Sequence, residues 1–305
     1  MANLMANKAA FYRKGIDKII KAYKDNKPEF FSELLGEEIT DKQSFYRIYL
    51  EGDFGYAGVV NEMGSSTFDD QQTPYTMDIT PLKRQIGWIT STESVEGDLY
   101  GLVARAVPKL KKALRNTMEL AVANQFNNFT STAAPYVVPD GLALISTAHT
   151  LHGGATAANR PASDIAFSAL ALERALQELR DQVSHRGIPN PEVGPFTLMV
   201  PNELLGVAKR VVKASGFAQT ANNDPNALIS ETGIKVHANP WFTDANNWGL
   251  MNSAKADRNI CLVRRRGVTM HQEYDIYKDA EVFTVNEIYQ VFNKDWRGFW
   301  GTAVS

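Results

Sequence analysis

The chain alternates between helical and strand-like hydrophobic periods, and the switches outline its organisation. Near the start, Phe11, Ile16, Ile19, Ile20 and Tyr23 recur near helical spacing. Lys8, Arg13, Lys14, Lys18, Lys21 and Lys24 fall between them, which predicts an amphipathic helix ended by Pro28. Residues 45–50 read as a strand. Residues 52–76 are rich in Gly, Ser, Asp and Gln and poor in aliphatic residues after Val60. From Tyr75 to Thr92 the pattern is strand-like again, through Met77, Ile79, Leu82, Ile86, Trp88 and Ile89. This predicts a long two-stranded hairpin, about residues 57–88, with a polar tip near 64–73. A lone hairpin is marginally stable in water, so this one needs support from its own domain or from another chain.

The strongest local signal follows. Over residues 93–129, Leu99, Leu102, Val103, Ala106, Leu110, Leu114, Met118, Ala121, Val122 and Phe126 recur at three- and four-residue steps. A helix of that length spans roughly 50 Å, and Pro108 inside it predicts a kink or a break. A second helix is expected over 166–185, capped by Ser163 or Asp164 and stopped by Gly187 and Pro189. Residues 196–200 read as a short buried strand, with a third helix over 204–214. Residues 219–225 read as a loop. Strands are expected at 234–237, 248–251, 260–263, 268–272 and 281–289, with 296–300 as the close. The class is α+β.

Composition adds exclusions. The 305 residues are 44% hydrophobic and 22% charged, with a net charge of −2, ordinary for a globular protein and long enough to bury a sizeable core. Near-neutral charge argues against nucleic-acid binding through bulk charge. The lone Cys261 has no internal disulfide partner and sits in an apolar run, so it reads as a small buried hydrophobe. No stretch approaches the roughly 18 apolar residues of a membrane span, and no apolar signal core opens the chain. A reducing cytoplasm suits this reading.

The chemical search returns little. There is no G-x-x-x-x-G-K-[ST] loop, no G-x-G-x-x-G after a strand and no G-x-S-x-G elbow. His149 and His152 have i, i+3 spacing but fall in a glycine-containing loop without further ligands, and read as local hydrogen-bonding groups. His185, His237 and His271 are scattered. The acid pairs Glu37-Glu38 and Asp69-Asp70 read as solvated turns. Arg264-Arg265-Arg266 is the densest basic run, and strand alternation would divide it between two faces. Trp296, Phe299 and Trp300 read as core. No catalytic, cofactor or metal site is predicted.

The order of elements resembles the major capsid proteins of tailed phages, which share the Hong Kong 97-type fold, and within them the group of the Mu-like major head subunit. Residues 59–64 with the polar tip resemble the outgoing half of the family's extended loop, and 81–90 its return. Residues 93–98 resemble the approach to the spine helix. Residues 140–149 with Gly153-Gly154 resemble a segment common in phage heads, 198–201 with their helix the axial domain, and 295–301 the family's ending.

The resemblance implies five regions: an N-terminal arm (1–44), strands with the extended β-hairpin loop (45–92), the spine helix with the peripheral domain (93–186), an axial domain (187–259) and a return to the peripheral domain (260–305). It implies inter-subunit contacts through Glu62, Met63, Phe68, Lys83, Arg84 and Trp88. The implied partner is the protein itself, as pentamers and hexamers in an icosahedral shell around double-stranded DNA held without sequence-specific binding. The shell would be a virion capsid assembled in the bacterial cytoplasm. A separate scaffolding protein is implied, since only a short arm precedes the first strand, and a portal and decoration proteins are further implied partners. Covalent joining through a loop lysine is not carried over, because the tip has none and Lys83 lies on the return strand. An encapsulin-like compartment enclosing cargo proteins is the alternative within the same fold.

Overall fold

A computed structural model describes residues 30–50, 52–66, 68–71, 75–98, 101–213, 233–254 and 260–304. The predicted N-terminal amphipathic helix, the polar tip around Thr73 and the loop at 219–225 lie wholly or partly outside the described residues.

Two four-stranded sheets share one core. The first has the order β1 (Glu37–Thr40), β10 (Ile260–Asp275), β11 (Ala280–Asn293), β4 (Leu82–Ser91). β1 runs parallel to β10, and the other pairs are antiparallel. The second has the order β12 (Phe299–Thr302), β9 (Trp248–Asn252), β7 (Phe196–Val200), β8 (Lys235–Ala238). A ribbon of β2 (Tyr46–Leu50) and β3 (Tyr75–Ile79) and the small pair β5 (His149–Thr150) and β6 (Thr156–Ala157) complete the strands among the described residues.

The apolar run at the start of β10 is continuous because both faces of the sheet are covered. Ile260 and Leu262 point into the main core, beside Val122, Phe126, Phe129, Tyr289 and Val291. Cys261 and Val263 point the other way, onto Ile48 and Ile79 of the ribbon and Phe292. The second sheet divides in the same manner. Leu198, Leu250 and Trp300 face α4 (Ala169–Arg180) and α5 (Leu205–Lys213), while Met199, Met251 and Phe299 face the shared core. Gly249 and Gly301 let aromatic rings approach that sheet closely. A Cβ on Gly301 would lie 2.9 Å from a Phe129 ring carbon, and one on Gly249 only 2.8 Å from the Trp300 carbonyl oxygen.

The long helix α3 spans Leu102–Asn127 and continues unbroken through Pro108. Its 26 residues extend about 39 Å. It starts later than the periodicity predicts. After the single turn α1 (Phe31–Leu34) near the start of the described residues, a separate helix α2 (Thr92–Glu96) comes first, capped by the Ser91 hydroxyl, which accepts from Ser94 N–H at 3.3 Å. Gly101, left-handed at φ 65°, stands at the N-cap of α3. α4 is shorter than predicted and is capped by Ser168, not by Ser163 or Asp164. Asp164 instead pairs with Arg160 at 2.6 Å and accepts from Thr302 and Ala303.

The largest correction concerns the hairpin. Its two halves are β2 and β3, the described residues between them form no strand, and it so centres on 46–79 in place of 57–88. Residues 82–91 do not return along this ribbon. They form β4, paired with β11 nearly two hundred residues later, as in Trp88 opposite Phe283 and Leu82 opposite Tyr289. The two short strands expected at 260–263 and 268–272 are one long strand, β10. Its register shifts between Arg264 and Arg266 and again between Arg266 and Thr269, so simple alternation of the three arginines does not hold.

Candidate assembly surface

The ribbon is fastened at its base and open beyond it. Ile48 and Ile79 are buried on β10 and β11, and Arg47 on β2 makes a two-pronged pair with Asp78 on β3, at 2.6 and 2.7 Å. That hydrogen bonding holds the Asp78 carboxyl below its ordinary range. Farther out, Asp69 Oδ2 accepts from Gly55 N–H at 2.7 Å, while Arg186 meets Asp69 Oδ1 at 3.0 Å and donates to the Asp70 carbonyl at 2.7 Å. The Gly55 bond, with help from Asp70 N–H and Arg186, lowers the Asp69 carboxyl in turn. The Tyr75 ring stands edge-on to His185 at 5.7 Å. These ties fix where the segment leaves and rejoins the body.

Along this segment the apolar side chains are half or more exposed, apart from Val60 at 45%. Phe54 is 55% exposed, Tyr56 79%, Val59 100%, Met63 102% and Phe68 96%. A turn from Asn61 to Gly64, closed by a 2.8 Å backbone bond, holds Met63 at φ 63° and projects it outward. Scattered exposed apolar residues are common on proteins, but a contiguous run of large ones marks an interaction surface.

Of the six residues implied as inter-subunit contacts, four face solvent and two are engaged within the chain. Glu62, Met63 and Phe68 are exposed on the open segment, and Lys83 is exposed on β4. Arg84 donates to the Tyr289 carbonyl at 2.8 Å and lies 4.1 Å over that ring. Trp88 stacks on Phe283 at 5.6 Å and packs with Leu110 and Leu114 of α3. The sequence reading passed over Phe54 and Tyr56, which sit in a stretch with neither helical nor strand period. Large apolar residues inside an acidic, glycine-rich segment are the signal that would have found them.

The histidine loop is a buried network. His149 is 0% exposed, 2.6 Å from Asp140 and 3.1 Å from Asn159, and stacks on Trp296 at 4.3 Å. His152 is exposed. Among the described residues no cluster of His, Cys, Asp and Glu has the makings of a metal site, and no helix is long and apolar enough to cross a membrane. The acid pairs are engaged: Glu37 with Lys294 at 3.3 Å, Glu38 with Arg264 at 2.9 Å. Arg264 also reaches Glu287 at 3.2 Å. Burial raises the Glu287 carboxyl, partly offset by Arg264. Trp296, Phe299 and Trp300 are core, as expected.

The body is thus two sheets crossed by one long helix, with a fastened ribbon that ends in an uncovered segment. The chain is similar over 93% of its length to the capsid of the cyanophage P-SCSP1u, over 90% of that chain, with a TM-score of 0.62 at 12% identity. It is similar over 92% of both chains to the capsid of an empty GTA particle, TM-score 0.58 at 10% identity. A virus-like particle from Pyrococcus furiosus matches 95% of this chain and 97% of its own, TM-score 0.50 at 10% identity. Identities this low speak to the fold. No curated protein sequence matches. The family follows from the sequence itself: the model of the phage capsid protein family matches residues 74–301, and the chain belongs to that family. It is a structural protein of the virion.

Proposed function

We propose that this chain is the major head subunit of a tailed phage, nearest to the Mu-like group, and that its pentamers and hexamers close an icosahedral shell around double-stranded DNA. One observation carries the reading. Val59, Met63 and Phe68 stand almost fully exposed beyond a ribbon whose base is firmly packed. A subunit working alone gains nothing from such a segment. Lying across an adjacent copy, the segment buries it. Obligate interfaces of this kind commonly exceed about 2,000 Å² in total.

In this arrangement α3 is the spine. The sheet of β7, β8, β9 and β12 with α4 and α5 is the axial domain. The sheet of β1, β4, β10 and β11 belongs to the peripheral domain. Glu62, Met63, Phe68 and Lys83 are the contact residues retained, while Arg84 and Trp88 act by holding β4 in place. A separate scaffolding protein directs assembly in the bacterial cytoplasm, and a portal and decoration proteins complete the head.

The likeness to the Pyrococcus furiosus virus-like particle favours one second reading, a compartment that encloses proteins. Both are tested by co-expressing the chain with its scaffold and imaging the product by negative stain, followed by nuclease protection and mass spectrometry of the contents. Shells of uniform diameter that take up DNA support the head reading. Shells filled with a defined protein cargo support the compartment. A monomer under every condition refutes both.

A further inference from the structure

One buried titratable group has no part in the shell reading. His185 is 5% exposed, and its Nδ1 has no hydrogen-bond partner among the described residues. A buried imidazole of this kind is tolerated as long as it stays neutral. It sits in a tight turn, residues 184–188. Ser184 N–H donates to the Ile188 carbonyl at 2.8 Å and Gly187 N–H to the Ser184 carbonyl at 2.9 Å, with Gly187 left-handed at φ 74°. His152 N–H donates to the His185 carbonyl at 2.8 Å and ties the turn to the body.

The root of the open segment covers this turn. The Tyr75 ring lies against the His185 imidazole, and the Tyr75 hydroxyl donates to the Thr150 carbonyl at 3.3 Å. The next residue of the turn, Arg186, holds the Asp69 carboxylate and the Asp70 carbonyl. From Glu51 to Tyr75 the sequence has five carboxylates and no lysine, arginine or histidine. A cation for this tie has to come from the body, and Arg186 supplies it.

Positive charge crowds the imidazole. Arg297 of the closing segment, His152 and Arg186 act on it together, and Asp53 of the open segment opposes them. Arg297 is itself buried and paired with Asp295 at 3.0 Å, and Asp140 faces Tyr75. Burial first, and then these cations, push the His185 imidazole below its ordinary value of 6.5. The Asp69 carboxyl is held low by the Gly55 N–H and so stays charged through the same range.

We propose that the 184–188 turn is a proton-operated clasp on the open segment. With His185 neutral, the turn holds the segment's root on the body; with His185 charged, it lets the root go. A proton placed beside Arg186 and Arg297 is relieved when Tyr75 and Asp53 lift and water reaches the ring. The open form binds that proton more readily, so opening gains as pH falls below 6.5. The clasp stands on contacts within one subunit, and the shell reading adds only what the freed segment then reaches.

The test is a pulsed electron paramagnetic resonance distance in the unassembled full chain. Spin labels go on Met63→Cys, fully exposed on the open segment, and Gln177→Cys, exposed on α4. Cys261 is buried and takes no label. One narrow distance is expected at about pH 7.5. At about pH 5.5 a broad population should rise at least about three-fold, within the ceiling of about ten-fold per pH unit for one proton. Circular dichroism over the same range separates this from acid unfolding of the body. His185→Gln and His185→Phe, which cannot take the proton, should stay narrow at both pH values, and Arg186→Ala should be broad at both. A wild type that stays narrow in acid overturns the proposal. So does acid broadening that persists in the His185 variants, or broad distances in both of them at pH 7.5, since a neutral group at 185 would then not hold the segment. None of these outcomes touches the shell reading, and a chain that never forms shells still reports on the clasp.

Discussion

Replacing Val59, Met63 and Phe68 together by serine separates assembly from folding. These side chains are 100%, 102% and 96% exposed, so the isolated subunit gives up no burial when they go. Surface changes away from packing, caps and special backbone sites usually move stability by less than about 0.5 kcal/mol. Seated on a neighbour, each apolar side chain would contribute about 1.5–3 kcal/mol of transfer free energy. Partial burial and the cost of ordering the segment remove a large share of that. A net loss of about 3 kcal/mol per contact is a reasonable expectation, and it corresponds to roughly 150-fold in the half-assembly concentration. Thermal melting of the unassembled subunit and sedimentation of shells at graded concentration measure the two sides. The reasoning is refuted if the subunit itself loses more than about 1 kcal/mol, because the segment then packs on its own body. It is equally refuted if shells form at the wild-type concentration.

Three further outcomes follow from the packing. Buried Glu119 accepts from the N–H groups of Phe30 and Phe31 at 3.1 and 2.9 Å, so Glu119→Ala should cost about 2–4 kcal/mol. It should also loosen residues 30–33, read as earlier proteolytic cleavage before Leu34. Gly301→Ala places a methyl 2.9 Å from Phe129 and 3.1 Å from Ile145, which should cost about 1–3 kcal/mol in a denaturant melt. His237 supplies a pH dependence. Burial lowers its affinity for a proton, with the Glu33 bond opposing, and Glu33 itself is lowered by that bond. The unfolded chain therefore binds more protons, and the stability present above the ordinary histidine value of 6.5 falls as pH drops through the folded value. Below 4.5 the Glu33 contribution falls as well. His237→Asn, which keeps a donor near Nδ1, should flatten the melting temperature between pH 6.5 and 5; an unchanged slope would exclude His237 as its source.

Much of the body could be read from hydrophobic period alone. β7, β9, α5 and the body of α4 fall where the pattern puts them, because each faces a core and its side chains must repeat at the spacing of its own backbone. Cys261 and the closing tryptophans are buried for the same reason, being apolar residues in apolar runs. The open segment was legible as a polar, glycine-rich interruption that could not form a core. Charge was equally visible: acids alone over residues 51–75.

Partnership was not visible. The alternation in residues 82–91 states that they form a strand but says nothing of which strand lies beside it, and they pair with β11, far away in the chain. Sequence order suggested the nearer neighbour, which is why the hairpin was expected at 57–88 when the ribbon closes at Ile79. The same limit hid the fates of Arg84 and Trp88. Each is a typical surface-contact residue by type, and each was claimed by β11, through Tyr289 and Phe283, once the sheet had formed. Local period is a property of a few consecutive residues and survives in the linear chain. Pairing and burial depend on which distant segments exclude water together, and that is settled only when the chain closes on itself.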